Sequence, residues 1–256
     1  MAFMRYRNPY TDKPKRHEIK TVLTYPQYVE LRARVAGILT PDPHMPGPEG
    51  YRITSVYFDT LSRDSYYEKD SGVQHRNKYR IRAYNGSDSF IVLENKEKID
   101  DRISKSSAVI TRADYDAILS GDYSPLLAYD NPLCRQVYGL RQTDGLRPEV
   151  IIEYQRQAYV HPLSMVRVTF DSLISAGINT LDMFDEKLVT RPLFPHREVV
   201  LEVKYDDAYP MYLRQLLENS GTKLAVSKFV LGCEYLKNNF ILLPERQDSR
   251  KELSHV

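Results

Sequence analysis

The segment 74–84 carries a basic residue at every second position, namely Arg76, Lys78, Arg80 and Arg82. In a β-strand, side chains two residues apart project from the same face at a spacing of about 6–7 Å. Four like charges in such a row repel one another, so the arrangement is costly unless an anion lies beside it. The same spacing is also compatible with a solvated outer face, and this segment alone does not decide between the two interpretations.

Further segments place ionic residues on one face and aliphatic residues on the other. The ionic faces carry Glu18 and Lys20, then Glu94, Lys96 and Lys98, then Arg156, then Arg167, Thr169 and Asp171, and finally Glu198, Glu202 and Lys204. If the aliphatic faces pack outward beneath helices, the ionic faces line a shared interior. Arginine and lysine would hold phosphoryl oxygens there, and glutamate would hold a divalent cation such as Mg²⁺ or Mn²⁺. The pattern therefore predicts an interior site for a polyanion and a metal.

Eight strands with period-two alternation position these residues. They are predicted at 16–24, 51–59, 74–84, 89–98, 102–110, 148–159, 165–171 and 197–205. Helices are predicted at 26–39, 112–119, 131–140, 210–219 and 228–242, and the segment 40–50, rich in proline and glycine, is predicted as a loop. Strands in hairpin order with helices inserted between them indicate an α+β protein, mainly antiparallel β, with an eight-stranded closed β-tunnel and flanking helices.

Composition excludes several other classes of protein. Lys plus Arg number 36 against 34 Asp plus Glu, so the formal net charge of +2 argues against a protein that coats nucleic acid through a bulk positive field. Two cysteines are too few for a disulfide framework, and no phosphate-binding glycine loop is present. The twenty tyrosines are interpreted as packing residues rather than as platforms for nucleobases.

The chain is predicted to form one domain over 16–242, with flexible segments at 1–15 and 243–256. The N-terminal residues are polar and basic, which is not typical of a signal peptide. No run of apolar residues reaches the roughly 18 that a membrane span needs. These features predict a cytoplasmic protein.

Several short segments, in this order and spacing, carry a family resemblance. They are 16–20 (RHEIK), 54–60 (TSVYFDT), 78–84 (KYRIRAY), 93–96 (LENK), 155–159 (QRQAY), 166–171 (VRVTFD), 201–205 (LEVKY) and 227–229 (SKF). On these segments the chain resembles the VTC-type polyphosphate polymerase domain, within the triphosphate tunnel metalloenzyme superfamily. The resemblance runs over about 16–236 and is closest to the stand-alone prokaryotic type, because the chain carries neither the SPX domain nor the membrane spans of the eukaryotic enzymes.

The resemblance implies roles for individual residues. Catalytic roles fall to Arg80, Arg82, Lys96, Arg156, Arg167 and Lys228. Substrate-binding roles fall to Lys20, Lys78, Lys204 and Ser227. Glu202 is implied as the metal ligand, with Glu18 and Glu94 as assisting ligands, and Lys105 matches a further interior lysine only loosely.

The implied reaction is transfer of the terminal phosphoryl group of ATP onto a polyphosphate chain, with Mn²⁺ or Mg²⁺ as cofactor. ATP and polyphosphate are then the binding partners, and a membrane protein that receives the chain is a further partner by family analogy. Two alternatives remain open from the sequence. One is a tri- or polyphosphatase or nucleoside triphosphatase on the same scaffold, and the other is a non-catalytic module that binds polyphosphate or nucleotides.

Overall fold

The computed structural model describes residues 16–67, 75–99, 102–206, 209–217, 220–223, 227–241 and 243. The predicted flexible segments 1–15 and 243–256 lie outside these residues, except for Leu243. Among the described residues, no helix is both long and apolar enough to cross a membrane.

Strands make up most of the described fold. They are β1 (His17–Leu23), β2 (Thr40–Pro41), β3 (Tyr51–Asp59), β4 (His75–Tyr84), β5 (Ser87–Ile99), β6 (Arg102–Ile110), β7 (Arg147–Val160), β8 (Arg167–Gly177), β9 (Thr190–Pro192), β10 (Val199–Tyr205) and β11 (Thr222–Lys223). The helices are α1 (Tyr25–Ala36), α2 (Asp64–Tyr67), α3 (Arg112–Ser120), α4 (Pro132–Asp144), α5 (Met211–Leu217) and α6 (Lys228–Asn238), with a 3-10 helix at Ser124–Ala128.

The strands form one antiparallel sheet that curls back on itself. Its hydrogen-bonded order is β11-β1-β10-β8-β7-β3-β4-β5-β6, with β2 added to β7 and β9 added to β8. Strand β6, at one end of this path, meets the residue before β1 at an antiparallel bridge between Arg16 and Ile103, where the backbone N–H of each donates to the carbonyl of the other at 3.2 Å. The predicted α+β, mainly antiparallel class is confirmed. The sheet differs from the expected eight-stranded closed tunnel in two ways. In the described residues it has eleven strands, and β6 meets the start of β1, which we call the seam, through a single bridge instead of a full ladder.

Helices cover the outer face of the sheet in two places. Over β4, β5 and β6, the helices α3 and α4 and the 3-10 helix bury a core that includes Ile81, Leu93, Tyr115 and Val137. Over β1, β8 and β10, the helices α1 and α5 bury a second core. These aliphatic faces remove apolar surface from water, which stabilises the curled sheet at roughly 25 cal/mol per Å² buried. The ionic residues of the same strands must then face inward.

Helix α6 fills one end of the interior. Its residues Phe229, Cys233 and Leu236 are buried against inner-face residues of β3 and β7, among them Tyr57 and Ile152. The Phe229 and Tyr57 rings stack with their centroids 5.6 Å apart. A Cβ at Gly232, in the middle of the helix, would lie 2.4 Å from Ile152 Cδ1, so glycine allows the close approach of helix and sheet.

Strand β8 extends six residues beyond its predicted end at residue 171. Leu173 adopts a positive φ of 52°, and the register between β7 and β8 shifts beside it. After this irregularity, Ile174 and Ala176 join the same inner core as Tyr154. Period-two alternation therefore breaks at this point, which is why the pattern predicted a shorter strand.

Candidate functional site

Cross-strand pairing brings ionic residues of β1, β10 and β8 together. Glu18 lies opposite Lys204, and Lys20 lies opposite Glu202, in the antiparallel pair of β1 and β10. The next pair places Lys204 opposite Arg167. The pairs between β1 and β10 join opposite charges, which attract directly across a ladder, whereas Lys204 and Arg167 are like charges that repel unless carboxylates or an anion lie beside them.

Glu202 is surrounded by cations from four elements. Its carboxylate oxygens lie 3.3 Å from Lys228 Nζ, 3.4 Å from Arg156 Nη2, 3.7 Å from Lys204 Nζ and 3.9 Å from Lys20 Nζ. Burial disfavours the charged carboxylate, but the charge of Lys228 and of the other three cations outweighs it and holds the pKa of Glu202 well below its usual range. Glu202 is therefore ionised in the interior at neutral pH.

Asp171 connects the strand cations to helix α6. Its two carboxylate oxygens accept hydrogen bonds from Arg156 Nε and Nη2, both at 2.6 Å, and Lys228 Nζ lies 2.7 Å away. The side chain of Asp171 is completely buried. Burial opposes its ionisation, but the Arg156 guanidinium lowers the pKa of the carboxyl, so this bidentate pair fixes the orientation of Arg156.

Glu18 joins the two ends of the curled sheet. Its oxygens accept from Lys96 Nζ of β5 at 2.8 and 2.9 Å, and Lys20 Nζ lies 3.0 Å away. Despite burial, the charge of Lys96 and of the other nearby lysines holds the pKa of Glu18 far below its usual range. The contact between Glu18 and Lys96 places the ionic residues of β5 beside those of β1.

Glu94 organises a separate group of cations on β4 and β6. Arg80 Nε donates to its carboxylate at 2.8 Å, Arg82 Nη2 lies 3.3 Å away, and Lys105 Nζ forms a close ion pair with it. Tyr57 Oη accepts a further hydrogen bond from Arg80 Nη1 at 2.9 Å. The two arginines of the R-x-R segment are therefore held side by side on the inner face.

We refer to these groups together as the interior ionic cluster. Its cations are Lys20, Arg80, Arg82, Lys96, Lys105, Arg156, Arg167, Lys204 and Lys228. Its carboxylates are Glu18, Asp42, Glu94, Asp171 and Glu202. Within the described residues, nine cationic side chains thus meet five carboxylates. The interior therefore carries an excess of positive charge, and such an excess favours the binding of an anion.

The lysines of the cluster differ in basicity. Burial and the neighbouring charge of Lys20 lower the pKa of Lys96 to about 7. Burial likewise lowers the pKa of Lys204. For Lys228 the charges of Asp171 and Glu202 overcome the effect of burial and raise the pKa well above the ordinary value. Lys96 is therefore the cluster cation that responds most to the approach of an anion near neutral pH.

Two residues predicted for the site lie at its margin. Lys78 Nζ donates to the carbonyl of Ser65 at 3.2 Å and lies over the Phe229 ring, at the end filled by α6. The Ser227 hydroxyl accepts from the backbone N–H of Val230 at 3.3 Å and caps α6. This cap fixes the start of the helix and so positions Lys228 within the cluster. The other residues to which the family resemblance gave a role all lie within the cluster, whereas Glu198 lies before β10 and accepts a hydrogen bond from the backbone N–H of His196.

The sequence analysis assigned no role to some residues that the structure brings into the site. Asp171 had been placed on the ionic face of its strand, and its bidentate contact with Arg156 could not be read from spacing. Asp42 lies within the segment 40–50, rich in proline and glycine, and its carboxylate is 2.9 Å from Arg167 Nη2, a contact between a loop and a strand. Tyr154 lies beneath both Arg156 and Lys228, with its ring centroid 5.2 and 4.9 Å from their charged groups. Its position two residues before Arg156 is the signal that could have identified it.

Four buried polar atoms on the inner face have no hydrogen-bond partner among the described residues. They are Arg82 Nε, Arg167 Nε, Ser55 Oγ and Thr169 Oγ1. Buried polar groups are normally paired, because an unpaired group costs about 1–3 kcal/mol. Donors without partners beside an excess of positive charge indicate a ligand rich in oxygen acceptors.

The carboxylates fit a divalent cation of the kind that uses few protein ligands. Across the described residues, no three His, Cys, Asp or Glu side chains meet in a metal-binding group. Mg²⁺ needs only one or two carboxylates when substrate phosphates and water complete its coordination. Lys20 and Lys204 each contact both Glu18 and Glu202, so these two carboxylates lie close together on adjacent strands, as ligands of one cation must. Glu94 is held instead by Arg80, Arg82 and Lys105.

Comparison with known proteins identifies the family to which this chain belongs. No curated protein sequence matches it. Among solved structures, a protein from Pyrococcus horikoshii OT3 superposes with a TM-score of 0.45 at 15% identity, covering 86% of this chain and 99% of the other. The capping enzyme triphosphatase of Mimivirus gives a TM-score of 0.38 at 13% identity, covering 82% and 89%. Scores below 0.5 at such identities carry no argument about activity. A family model, the VTC domain, matches residues 15–237, and the chain therefore belongs to the VTC domain family.

Proposed function

We propose that this protein is a metal-dependent polyphosphate polymerase that transfers the terminal phosphoryl group of ATP onto a polyphosphate chain within the curled sheet. The observation that carries the proposal is the convergence of the interior ionic cluster. Nine cations from separate strands and α6 surround one interior, and two of their buried N–H groups lack a partner within the described residues. Membership of the VTC domain family supports the same reading.

The arginines of the cluster would bind and align the phosphate chain. Arg80, Arg82, Arg156 and Arg167 present planar donors that match phosphoryl oxygens, and Asp171 and Glu94 hold three of them in fixed orientations. In phosphoryl transfer, alignment and neutralisation of charge supply most of the rate. The protein therefore needs no covalent nucleophile, because an oxygen of the acceptor chain attacks the γ-phosphorus. The bond from that phosphorus to the β–γ bridging oxygen breaks, and ADP leaves.

Lysines would complete the neutralisation of the chain. Lys228 projects into the cluster from the first turn of α6, next to Glu202. Lys20, Lys96 and Lys204 lie around Glu18 and Glu202. Mn²⁺ or Mg²⁺ held by Glu202 and Glu18 would supply Lewis-acid neutralisation of phosphoryl oxygens.

The test is incubation of the purified protein with ATP and either Mn²⁺ or Mg²⁺, followed by electrophoretic sizing of the phosphate products. A ladder of chains longer than a few phosphates is the expected result, and the Glu202→Ala variant is expected to produce none. Release of free phosphate alone would replace the polymerase with a hydrolase on the same scaffold. Tight binding of ATP with no turnover, unchanged in Glu202→Ala, would identify a non-catalytic binding module.

A further inference from the structure

Three aromatic side chains gather at the end of the interior opposite α6. Tyr51 begins β3, whereas Tyr57, which contacts α6, lies near the end of that strand. The ring centroids of Tyr51 and Tyr84 are 6.0 Å apart, and those of Tyr84 and Phe90 are 6.1 Å apart with an interplanar angle of 28°. Tyr51 is buried, but 49% of Phe90 is exposed. The aromatic group therefore has a buried side and an open side.

Cations of the interior ionic cluster contact this aromatic group directly. Arg82 Nη1 donates to Tyr84 Oη at 3.3 Å, and Arg167 Nη2 donates to Tyr51 Oη at 3.4 Å. The Nε–H groups of these two arginines are buried and have no partner in the described part of the chain. A ligand with an oxygen-rich anionic part would satisfy them, and Phe90 lies one ring farther out, stacked on the Tyr84 ring that Arg82 contacts.

The geometry points to Phe90 and Tyr84 as a stacking platform for the base of a nucleoside triphosphate, whose phosphates extend inward to Arg82 and Arg167. An inorganic phosphate chain offers nothing flat for an exposed aromatic ring, whereas every nucleobase has a π-face. Base–aromatic stacking tolerates different bases, and no base-specific polar group is required. The inference rests on the proposed function, because it takes the interior as a phosphate site, and it goes further by assigning where the donor's base lies.

Exposure distinguishes Phe90 from the buried aromatic residues, and stacking on Tyr84 distinguishes it from Tyr25 and Phe240, which are at least as exposed. Tyr115 and Tyr154 are almost fully buried, as the sequence analysis expected for the tyrosines. Tyr51 also matches that expectation. Phe90 leaves half of its surface open and stacks on Tyr84, whose hydroxyl and ring both contact Arg82.

A fluorescence titration tests the platform without requiring turnover. The chain contains no tryptophan, so the Phe90→Trp variant carries a single indole at the proposed stacking position. Titration of this variant with ATP is expected to quench its fluorescence by a large fraction at saturation. Titration with inorganic triphosphate is expected to bind with little quenching, because triphosphate lacks a base.

Calorimetric titration of the Phe90→Ala variant supplies the second measurement. Its dissociation constant for ATP is expected to rise about tenfold, and that for triphosphate is expected to stay within twofold of the wild-type value. The matched control is Tyr25→Ala, since Tyr25 has the same 49% exposure but lies on the outer helix α1. This control is expected to change neither constant.

The outcomes separate failure of this inference from failure of the proposed function. Equal effects of Phe90→Ala on ATP and triphosphate, or no effect on either, would overturn the stacking platform and leave the phosphate site in place. Wild-type protein that binds neither ligand would overturn the phosphate site itself. Quenching by ATP together with a selective loss of ATP affinity supports the platform whether the enzyme polymerises or hydrolyses.

Discussion

The same strands line an apolar region at one end of the curled sheet's interior and a charged region at the other. At one end, Tyr57, Ile152 and Val200 pack against Phe229 of α6 in an apolar core. Farther along the same strands, the inner face carries Arg156 and Glu202. The apolar end gains stability from burial, whereas the charged end holds buried ions whose desolvation offsets much of their mutual attraction. The difference teaches that stability and ligand binding are divided along the strands rather than between domains.

Removal of Arg80, which pairs with Glu94 and also donates to the Tyr57 hydroxyl at the border of the apolar end, should give the largest effect. The Arg80→Ala variant is expected to lose about 100- to 1000-fold in turnover, because one fixed donor to the phosphate chain is lost. Glu94 keeps Arg82 and Lys105 as partners, so the melting temperature should change by only a few degrees. Product assays and thermal melts of the same preparation measure both quantities.

The matched control for Arg80→Ala is Arg34→Ala, on the exposed surface of α1. The Arg34 side chain forms an ion pair with Glu30, and this contact is open to solvent. Its loss should alter neither turnover nor melting. A large loss of stability in the Arg80→Ala variant would contradict the contrast between the two ends, because the charged end would then be a stabilising core.

Truncation of Phe229 tests the apolar end. Phe229 is completely buried between α6 and the sheet. The Phe229→Ala variant is expected to lose about 3–5 kcal/mol in the free energy of unfolding, as large-to-small changes in cores do. Chemical denaturation measures the loss, and the 90% exposed Phe240 provides the control variant Phe240→Ala, whose stability should be unchanged. A stable Phe229→Ala protein would show that α6 is not part of the core.

The pKa of Lys96, near 7, predicts how ligand affinity depends on pH. Burial and the charge of Lys20 lower this pKa from the ordinary value of 10.5, so Lys96 loses its proton as pH rises from 7 to 9. Affinity for triphosphate should therefore fall by up to about tenfold over this range, since one cation of the cluster becomes neutral. Titrations at a series of pH values measure the slope.

The same pKa has a consequence of opposite sign for stability. An unfolded lysine keeps its proton up to about 10.5, whereas folded Lys96 releases it near 7, so the ligand-free protein should become more stable between these values. The Lys96→Arg variant removes the titration, because arginine stays protonated. A wild-type affinity that does not vary with pH, or an unchanged slope in Lys96→Arg, would contradict the assignment.

The smallest expected effect lies outside the interior altogether. Thr24 caps α1 in a capping box with Gln27, on the outer face of the sheet. The Thr24→Ala variant should lose about 1 kcal/mol in the free energy of unfolding, and Thr24→Ser should lose less. Turnover should stay at the wild-type level in both. A loss of turnover in Thr24→Ala would show that the outer helices influence the charged end.

Sequence alternation predicted which face of most strands carries the ions. The rows containing Arg80, Arg156 and Glu202 follow from period-two spacing because each strand buries its aliphatic face beneath helices. The family resemblance predicted the residue roles. Contacts across the seam could not be predicted, because the pairing of Glu18 with Lys96 depends on how far the whole sheet curls. The capping role of Ser227 and the extension of β8 past Leu173 depend on local backbone geometry that hydrophobic patterns do not report.

The pairing of β1 with β10 sets the order in which the protein can assemble on the ribosome. His17 pairs with Tyr205 in the ladder between β1 and β10, so β1 leaves the ribosome long before β10 is synthesised. Contacts between such distant residues form late and slowly. The carboxylates of Glu18 and Glu202 meet only after β10 has been synthesised, and Lys228 follows later still, so a nascent chain lacks the complete proposed phosphate site. A polyanion that binds the folded protein but not its incomplete forms would therefore shift the folding equilibrium toward the folded protein by mass action.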